Sequence, residues 1–112
     1  MRSAYRTHIA SCVVGGGSFQ TYDVTVPEKP VPLGTLKTPS GRPLRFTLQG
    51  ARAYVADGRD GVQIVDLDNP SKPVIVGSIK THAPARDVAL GAGLVLVAVG
   101  MGEGNEEVVV LR

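Results

Sequence analysis

Two stretches of the chain repeat each other: YDVTVPEKPVPLGTLKT at residues 22–38 and VDLDNPSKPVIVGSIKT at residues 65–81. The offset is 43 residues, and eight of the 17 aligned positions are identical, with prolines and a glycine in the same register. A second block repeats at an offset of 42 residues, and its identical pairs are Leu48/Leu90, Val55/Val97 and Ala56/Ala98. Composition alone does not produce this agreement, so the chain consists of repeats of 42 to 43 residues.

Each repeat predicts four short β-strands. In the complete copy, these strands are predicted at residues 44–48, 52–56, 62–67 and 74–80. Turns separate them, because Gly adopts the positive φ angles of hairpin loops and Pro ends strand pairing. A repeat of about 40 to 45 residues built from strands is typical of a β-propeller blade. A helical repeat is disfavoured, since no segment keeps helical apolar spacing without a Gly or Pro break.

The strand count predicts an all-β fold, a partial β-propeller of antiparallel four-stranded blades with about ten strands. We expect one partial propeller over residues 1–112, with an incomplete blade at 1–40, a complete blade at 41–82 and an incomplete blade at 83–112. Closed propellers have about four to eight blades. We therefore favour a part of a longer propeller, and the alternative is assembly with copies of itself or another chain. Simple self-closure fits poorly, because merging the incomplete blades gives six strands where a blade holds four.

Short motifs of the middle copy form a known pattern. They are VQIVD at residues 62–66, DNP at 68–70 and PVIVGS at 73–78, preceded by AYVADG at 53–58 and followed by ARDVAL at 85–90. Together they resemble the LVIVD repeat of bacterial and archaeal propellers. The first and third copies depart from this pattern. The resemblance implies a propeller, often in envelope-associated or extracellular proteins, and it implies no common catalytic activity.

Composition narrows the classes of partner. The net charge is +2 and the chain has no Trp. Its basic residues lack interleaved aromatics, so no nucleic-acid partner is predicted. Residues 1–56 carry +5 and residues 57–112 carry −3. This asymmetry has two interpretations: a chance distribution, or head-to-tail attraction between copies or with neighbouring segments.

The sequence predicts neither membrane insertion nor a targeting signal. No apolar run approaches the roughly 20 residues that span a membrane, so no membrane span is predicted. Residues 9–12 resemble a lipoprotein cleavage box, but residues 1–8 are polar and basic where an apolar region is needed, so no signal peptide is predicted. We interpret Cys12, the single cysteine, as a small apolar residue within a strand. The compartment is not determined, although the family resemblance implies the cell envelope or the extracellular space.

The sequence predicts no catalytic residue, no bound cofactor and no metal site. The segment Asp57–Gly61 offers two acids, whereas calcium takes six to eight oxygen ligands, so we interpret it as a tight hairpin. His82 lies near Asp87 in sequence, and such a pair can serve general acid–base catalysis. No nucleophile motif accompanies the pair, so His82 is interpreted as a solvated loop residue.

We therefore expect a non-enzymatic scaffold or binding module within a larger propeller or assembly. Loops on one propeller face usually carry the contacts, and the candidate binding residues are Asp57, Arg59, Asp60, His82, Arg86, Asp87 and Arg42. The expected partners are the remaining propeller blades or copies of the chain itself, and a protein or surface ligand whose identity the sequence does not give. The alternatives are a fragment of a propeller enzyme with its active site in the central channel, and a remnant without function.

Overall fold

Ten strands form the regular structure of the residues described by the computed structural model, which are 8–14, 17–41, 43–100 and 106–111. The strands are β1 (Ile9–Val14), β2 (Ser18–Asp23), β3 (Val31–Lys37), β4 (Arg45–Gln49), β5 (Arg52–Ala56), β6 (Val62–Asp66), β7 (Val74–Ile79), β8 (Ala85–Gly91), β9 (Leu94–Val99) and β10 (Glu107–Leu111). The four strands predicted for the complete copy, β4 to β7, each lie within one residue of their predicted positions at both ends. The prediction of an all-β fold with about ten strands is confirmed.

The strands form three antiparallel sheets in chain order. The first sheet is β1-β2-β3, the second is β4-β5-β6-β7 and the third is β8-β9-β10. In their registers, β1 to β3 take the places of β5 to β7, and β8 to β10 take those of β4 to β6. The first sheet thus corresponds to the last three strands of the repeat and the third sheet to its first three. This arrangement is consistent with a partial β-propeller.

The repeat extends to an irregularity in strand pairing. The ladder between β2 and β3 shifts register between Thr21 and Tyr22, and the ladder between β6 and β7 shifts between Ile64 and Val65. These positions are 43 residues apart, the offset of the sequence repeat. A β-bulge increases the local twist of a sheet, so the first and second sheets carry the same local distortion.

The second sheet lies between the other two, with an apolar core on each face. Alternate residues of a strand point to opposite faces, so Ala53 and Val55 of β5 face the first sheet and Ala56 faces the third. The buried cluster on the first-sheet side comprises Phe19, Ala53, Val55, Val65 and Leu67. The cluster on the third-sheet side comprises Ala56, Val62, Ala85, Val88, Val97 and Val99. Burial of these mainly aliphatic side chains holds the sheets against one another.

Aromatic packing joins the first and second sheets. Phe19 of β2 is fully buried. Its ring meets that of Phe46 in β4 edge to face, with the centroids 5.1 Å apart and the planes at 84°. This geometry is a favourable arrangement for two aromatic rings. The two phenylalanines of this aromatic-poor chain therefore serve a single inter-sheet contact.

A proline turn of the second sheet also lies against the first. The hydroxyl of Thr21 donates to the carbonyl oxygen of Pro70 at 2.6 Å. At the neighbouring Gly34, a Cβ atom would lie 2.7 Å from both the Pro73 ring and the Ser71 carbonyl oxygen. Real Cβ atoms do not approach other atoms so closely, so this approach requires glycine. At Gly77, at the equivalent place in β7, the atom nearest to a Cβ would belong to the Ile64 side chain, at an ordinary contact distance of 3.4 Å.

Two equivalent hairpin turns carry different residues at a position with a positive φ angle. Gly50, between β4 and β5, has a φ of 59°, and Ala92, at the corresponding place between β8 and β9, has a φ of 51°. Glycine adopts this left-handed conformation freely, whereas a Cβ atom makes it costly. The third sheet thus keeps the turn but carries an unfavourable residue in it.

Across the described part of the chain, no helix is long and apolar enough to cross a membrane.

Candidate functional site

The inter-sheet linkers and the β5–β6 hairpin lie at one end of the molecule. The first residue of β4 pairs with the last residue of β5, as Arg45 with Ala56. The first residue of β6 pairs with the last residue of β7, as Val62 with Ile79. The linkers that follow β3 and β7 therefore reach the same end as the hairpin. We refer to residues 38–41, 43–44, 58–61 and 81–87 together as the loop surface.

The hairpin of the loop surface is a tight turn, as predicted. The amide of Asp57 donates to the carbonyl oxygen of Gly61 at 2.8 Å. Gly58 and Gly61 have φ angles of 61° and 76°. A Cβ atom at Gly61 would lie 2.1 Å from the carbonyl oxygen of Ile79, so this position also needs glycine for space. The turn is thereby fixed against the end of β7.

A backbone bridge fixes the hairpin to the third sheet. The amide of Gly58 donates to the carbonyl oxygen of Ala85 at 2.9 Å, and the amide of Ala85 donates to the carbonyl oxygen of Gly58 at 2.8 Å. The pair forms an isolated antiparallel bridge. Because Ala85 begins β8, the hairpin of one repeat and the first strand of the next are joined directly.

Asp57 lies beneath the loop surface as a buried carboxylate. It accepts hydrogen bonds from the hydroxyl of Thr38 at 2.5 Å, from the hydroxyl of Ser40 at 2.6 Å, and from the amide of Ser40 and the side-chain amide of Gln63 at 3.2 Å each. Thr38 and Ser40 belong to the linker that follows the first sheet. A carboxylate accepts about four hydrogen bonds, so these donors fill its capacity and hold the linker to the second sheet.

Gln63 completes this polar cluster, defined as Thr38, Ser40, Asp57, Gln63 and Ser78. Its side-chain amide also donates to the backbone carbonyl oxygen of Asp60 at 3.1 Å, and its Oε1 accepts from the Ser78 hydroxyl. Within the described ranges, no buried side-chain nitrogen or oxygen lacks a hydrogen-bond partner. A polar cluster satisfied in this way fixes one geometry for the loops above it.

Two shallow grooves meet at Leu44 on the loop surface, and Leu44 itself is 44% exposed. One groove is lined by Leu44, Arg45, Arg86, Asp87, Ala98 and Glu106. The other is lined by Pro39, Ser40, Leu44, Gly58, Arg59 and Asp60. The structure thus brings four predicted residues to the two sides of one apolar side chain, namely Arg59, Asp60, Arg86 and Asp87.

The remaining predicted residues lie elsewhere. His82 is an exposed loop residue whose Nε2 lies 3.0 Å from Oε1 of Glu107. Its side-chain partner is thus Glu107, at the start of β10, and the Asp87 carboxylate instead accepts the amide of Val88 at 2.8 Å. Asp57 is buried rather than presented on the loop surface. Arg42 lies outside the described residues.

Sequence reasoning missed the residues that organise the loops. Leu44 was predicted only as the start of a strand, and Thr38, Ser40 and Gln63 were not singled out. Thr38 carried a usable signal, because it is identical to Thr81 in the repeat alignment, and Thr81 directly follows the strand predicted at residues 74–80. Gln63 carried another, since it is a polar residue inside a predicted strand that is otherwise apolar up to Asp66.

Among the described residues, no three His, Cys, Asp or Glu side chains come together in a way that could hold a metal ion.

At the opposite end of the first sheet, the hydroxyl and amide of Thr25 donate to the Asp23 carboxylate and lower its pKa, and His8 adds a smaller effect in the same direction. This interaction stabilises a turn.

The second sheet matches a known family. Residues 45–81 match the family model of the LVIVD repeat. The chain carries an LVIVD repeat. The matched segment runs from the first residue of β4 to just beyond the end of β7, so it covers the complete four-stranded sheet. No curated protein and no solved structure matches the chain significantly. The LVIVD repeat indicates a β-propeller-type repeat module.

Proposed function

We propose that the chain is a non-enzymatic scaffold or binding module of a larger propeller or assembly, and that the loop surface is its contact surface. The observation that carries this proposal is the saturation of the Asp57 carboxylate by four intramolecular hydrogen bonds. A buried acid with all its acceptor capacity used stabilises loops and has no free lone pair for proton transfer.

The loops fixed by this cluster present a mixed apolar and charged surface. Leu44 provides an exposed apolar centre, and Arg59 and Arg86 flank it in the two grooves. Arginine is enriched among the residues that dominate protein interfaces. Rigid loops also lose little conformational freedom on binding, which favours affinity. These features support recognition of a peptide or protein segment.

A selection from a phage-displayed library of random peptides tests the binding role. The immobilised chain is used as bait, and enriched peptides are then measured against Arg59→Ala/Arg86→Ala. We expect this variant to bind at least about tenfold more weakly, a loss of about 1.4 kcal/mol. Arg52→Ala is the matched control, because Arg52 is an exposed arginine at the opposite end of β5. Absence of enriched peptides, or equal binding by both variants, contradicts the proposal.

A second measurement addresses the alternative of an enzyme. The purified chain is incubated with chromogenic ester, phosphate and glycoside substrates, and we expect no turnover above that of the heat-denatured chain. Turnover that disappears in Asp57→Asn would assign chemistry to the buried carboxylate and overturn the proposed role.

A further inference from the structure

One face of the third sheet is exposed, although the equivalent faces of the first and second sheets are buried. Val108 and Val110 of β10 are 66% and 48% exposed, and they pair with Ala98 and Leu96 of β9. We name these four residues the open face. In the second sheet, the place of Val108 opposite Ala98 is taken by Val62 opposite Ala56. Both Val62 and Ala56 are fully buried, because the third sheet covers them.

The same position in the first sheet is also covered. Phe19 stands where Val62 and Val108 stand in their sheets, and it is fully buried against the second sheet. In the first and second sheets, the residues at this position are covered by the sheet that follows in the chain. The repeat therefore indicates that another sheet of the same kind fits the open face.

The outer face of the first sheet has the residues of such a cover. Cys12 pairs with Gln20, and Gln20 pairs with Thr35. The corresponding row in the second sheet is Val55, Gln63 and Ser78, which faces the first sheet. Gln20 and Gln63 are identical, and a hydroxyl-bearing residue follows each in the row. We name Ala10, Cys12, Gln20, Tyr22 and Thr35 the outer face; Ala10 and Tyr22 stand at the places of Ala53 and Val65.

Three strands are enough for a sheet to cover its neighbour. The three-stranded first sheet leaves Ala53, Val55 and Val65 with no exposure, and the three-stranded third sheet does the same for Ala56 and Val62. Merging terminal sheets into one blade of six strands is therefore unnecessary for closure. The described residues of two copies form six sheets, and six lies within the range of about four to eight blades found in closed propellers.

Charge is compatible with contact between the third sheet of one copy and the first sheet of another. Among the described residues, 8–41 carry two acidic and two basic residues, whereas 82–100 and 106–111 carry three acidic residues and one basic residue. Contact between two third sheets brings like charges together, whereas contact between a third sheet and a first sheet does not. Charge therefore disfavours the contact between two third sheets.

We propose that two copies of this chain close head to tail into a six-sheet ring, the open face of each covering the outer face of the other. The inference rests on the proposed assembly role and names its partner. The two contacts are identical and are related by a twofold axis, so the assembly ends at a dimer rather than extending into a filament.

The mass of the chain in solution gives the first test. Size-exclusion chromatography with light scattering should give twice the mass of the chain, and Val108→Glu should return the mass of a single chain. Val26→Glu is the matched control, because Val26 is another exposed valine, at 53%, in the turn after β2 and away from both faces. A monomeric wild-type chain, or equal masses for the two variants, overturns the proposal.

Disulfide trapping gives a second test that does not depend on disrupting the fold. The equivalents of Val108 and Cys12 are Phe19 and Val55, which share one buried cluster. Mild oxidation of Val108→Cys should give a covalent dimer on a non-reducing gel, and Cys12→Ser in the same variant should abolish it. A ladder of larger products indicates an open filament and overturns closure, as does a link that survives Cys12→Ser. Peptide binding at the loop surface is measured separately, so loss of this dimer and loss of the binding role are distinguishable.

Discussion

Replacing Asp57 by alanine tests whether the polar cluster holds the first and second sheets together. The substitution removes the acceptor of hydrogen bonds from Thr38, Ser40 and Gln63. The Thr38 hydroxyl and the Gln63 amide belong to buried residues. Each buried donor left without a partner costs about 1–3 kcal/mol. We therefore expect Asp57→Ala to lower the free energy of unfolding by about 2–6 kcal/mol.

Urea denaturation followed by circular dichroism measures this change. The free energy of unfolding of a small protein falls by about 1–3 kcal/mol per molar urea, so the midpoint should fall by about 1 M or more. Asp60→Ala is the control in the same hairpin, because Asp60 contributes only its backbone carbonyl oxygen to the cluster. Its effect should stay within about 0.5 kcal/mol. Equal shifts for the two variants would refute the assigned role of Asp57.

A double-mutant cycle identifies the partner across the sheets. Thr38→Val removes one buried donor, and it should cost less in the Asp57→Ala background, where that donor is already unpaired. Residues that share a hydrogen-bond network couple by about 0.5–3 kcal/mol. Strictly additive costs would show that Thr38 and Asp57 act independently and would contradict the contact between linker and hairpin.

Three further predictions concern glycine, turn geometry and pH. Gly34→Ala should destabilise the chain by about 1–3 kcal/mol, since its Cβ atom enters the proline turn of the second sheet, while Gly77→Ala should cost clearly less in the same urea assay. Ala92→Gly should raise the free energy of unfolding by about 1 kcal/mol by relieving a positive φ, whereas Ala51→Gly, in the equivalent β4–β5 turn but without a positive φ, should not. The pKa of Asp23, followed by NMR, should lie below that of an ordinary aspartate. The stability that its carboxylate contributes is present at neutral pH and is lost as the pH falls through this lowered pKa, and Asp23→Asn should remove that pH dependence.

The strands were predictable because each depends on a short local pattern. The run Val62–Leu67 is nearly all apolar, and the prolines and glycines that bound it cannot continue a ladder. The hairpin Asp57–Gly61 was predictable for the same reason, since glycines at positive φ are needed in a turn of this length. The repeat then placed linkers and hairpin at the same end, so the loop surface followed from strand order alone.

The surroundings of individual side chains were harder to predict. Asp57 was predicted as a loop residue, and it does begin the hairpin. It is nevertheless buried, and it accepts hydrogen bonds from a linker about 20 residues earlier in the chain. Leu44 gave no sign of its exposure, because an apolar residue at the start of a predicted strand is ordinarily expected to be covered. Burial depends on how neighbouring sheets stack, and a pattern within one strand does not contain that information.

The two inter-sheet contacts show the same limit from inside the repeat. At the first contact, the linker residue Thr38 binds Asp57, which in turn binds Gln63. At the second, the linker keeps threonine as Thr81, but the other two places are taken by Val99 and Val109. Without a carboxylate to bind, the Thr81 hydroxyl donates within its own linker, to the carbonyl oxygen of Ala83. A buried polar group needs partners and valine needs none, so valines at both places leave no buried polar side chain there without a partner. The first contact thus specifies its geometry by hydrogen bonds, and the second relies on apolar packing within the same fold.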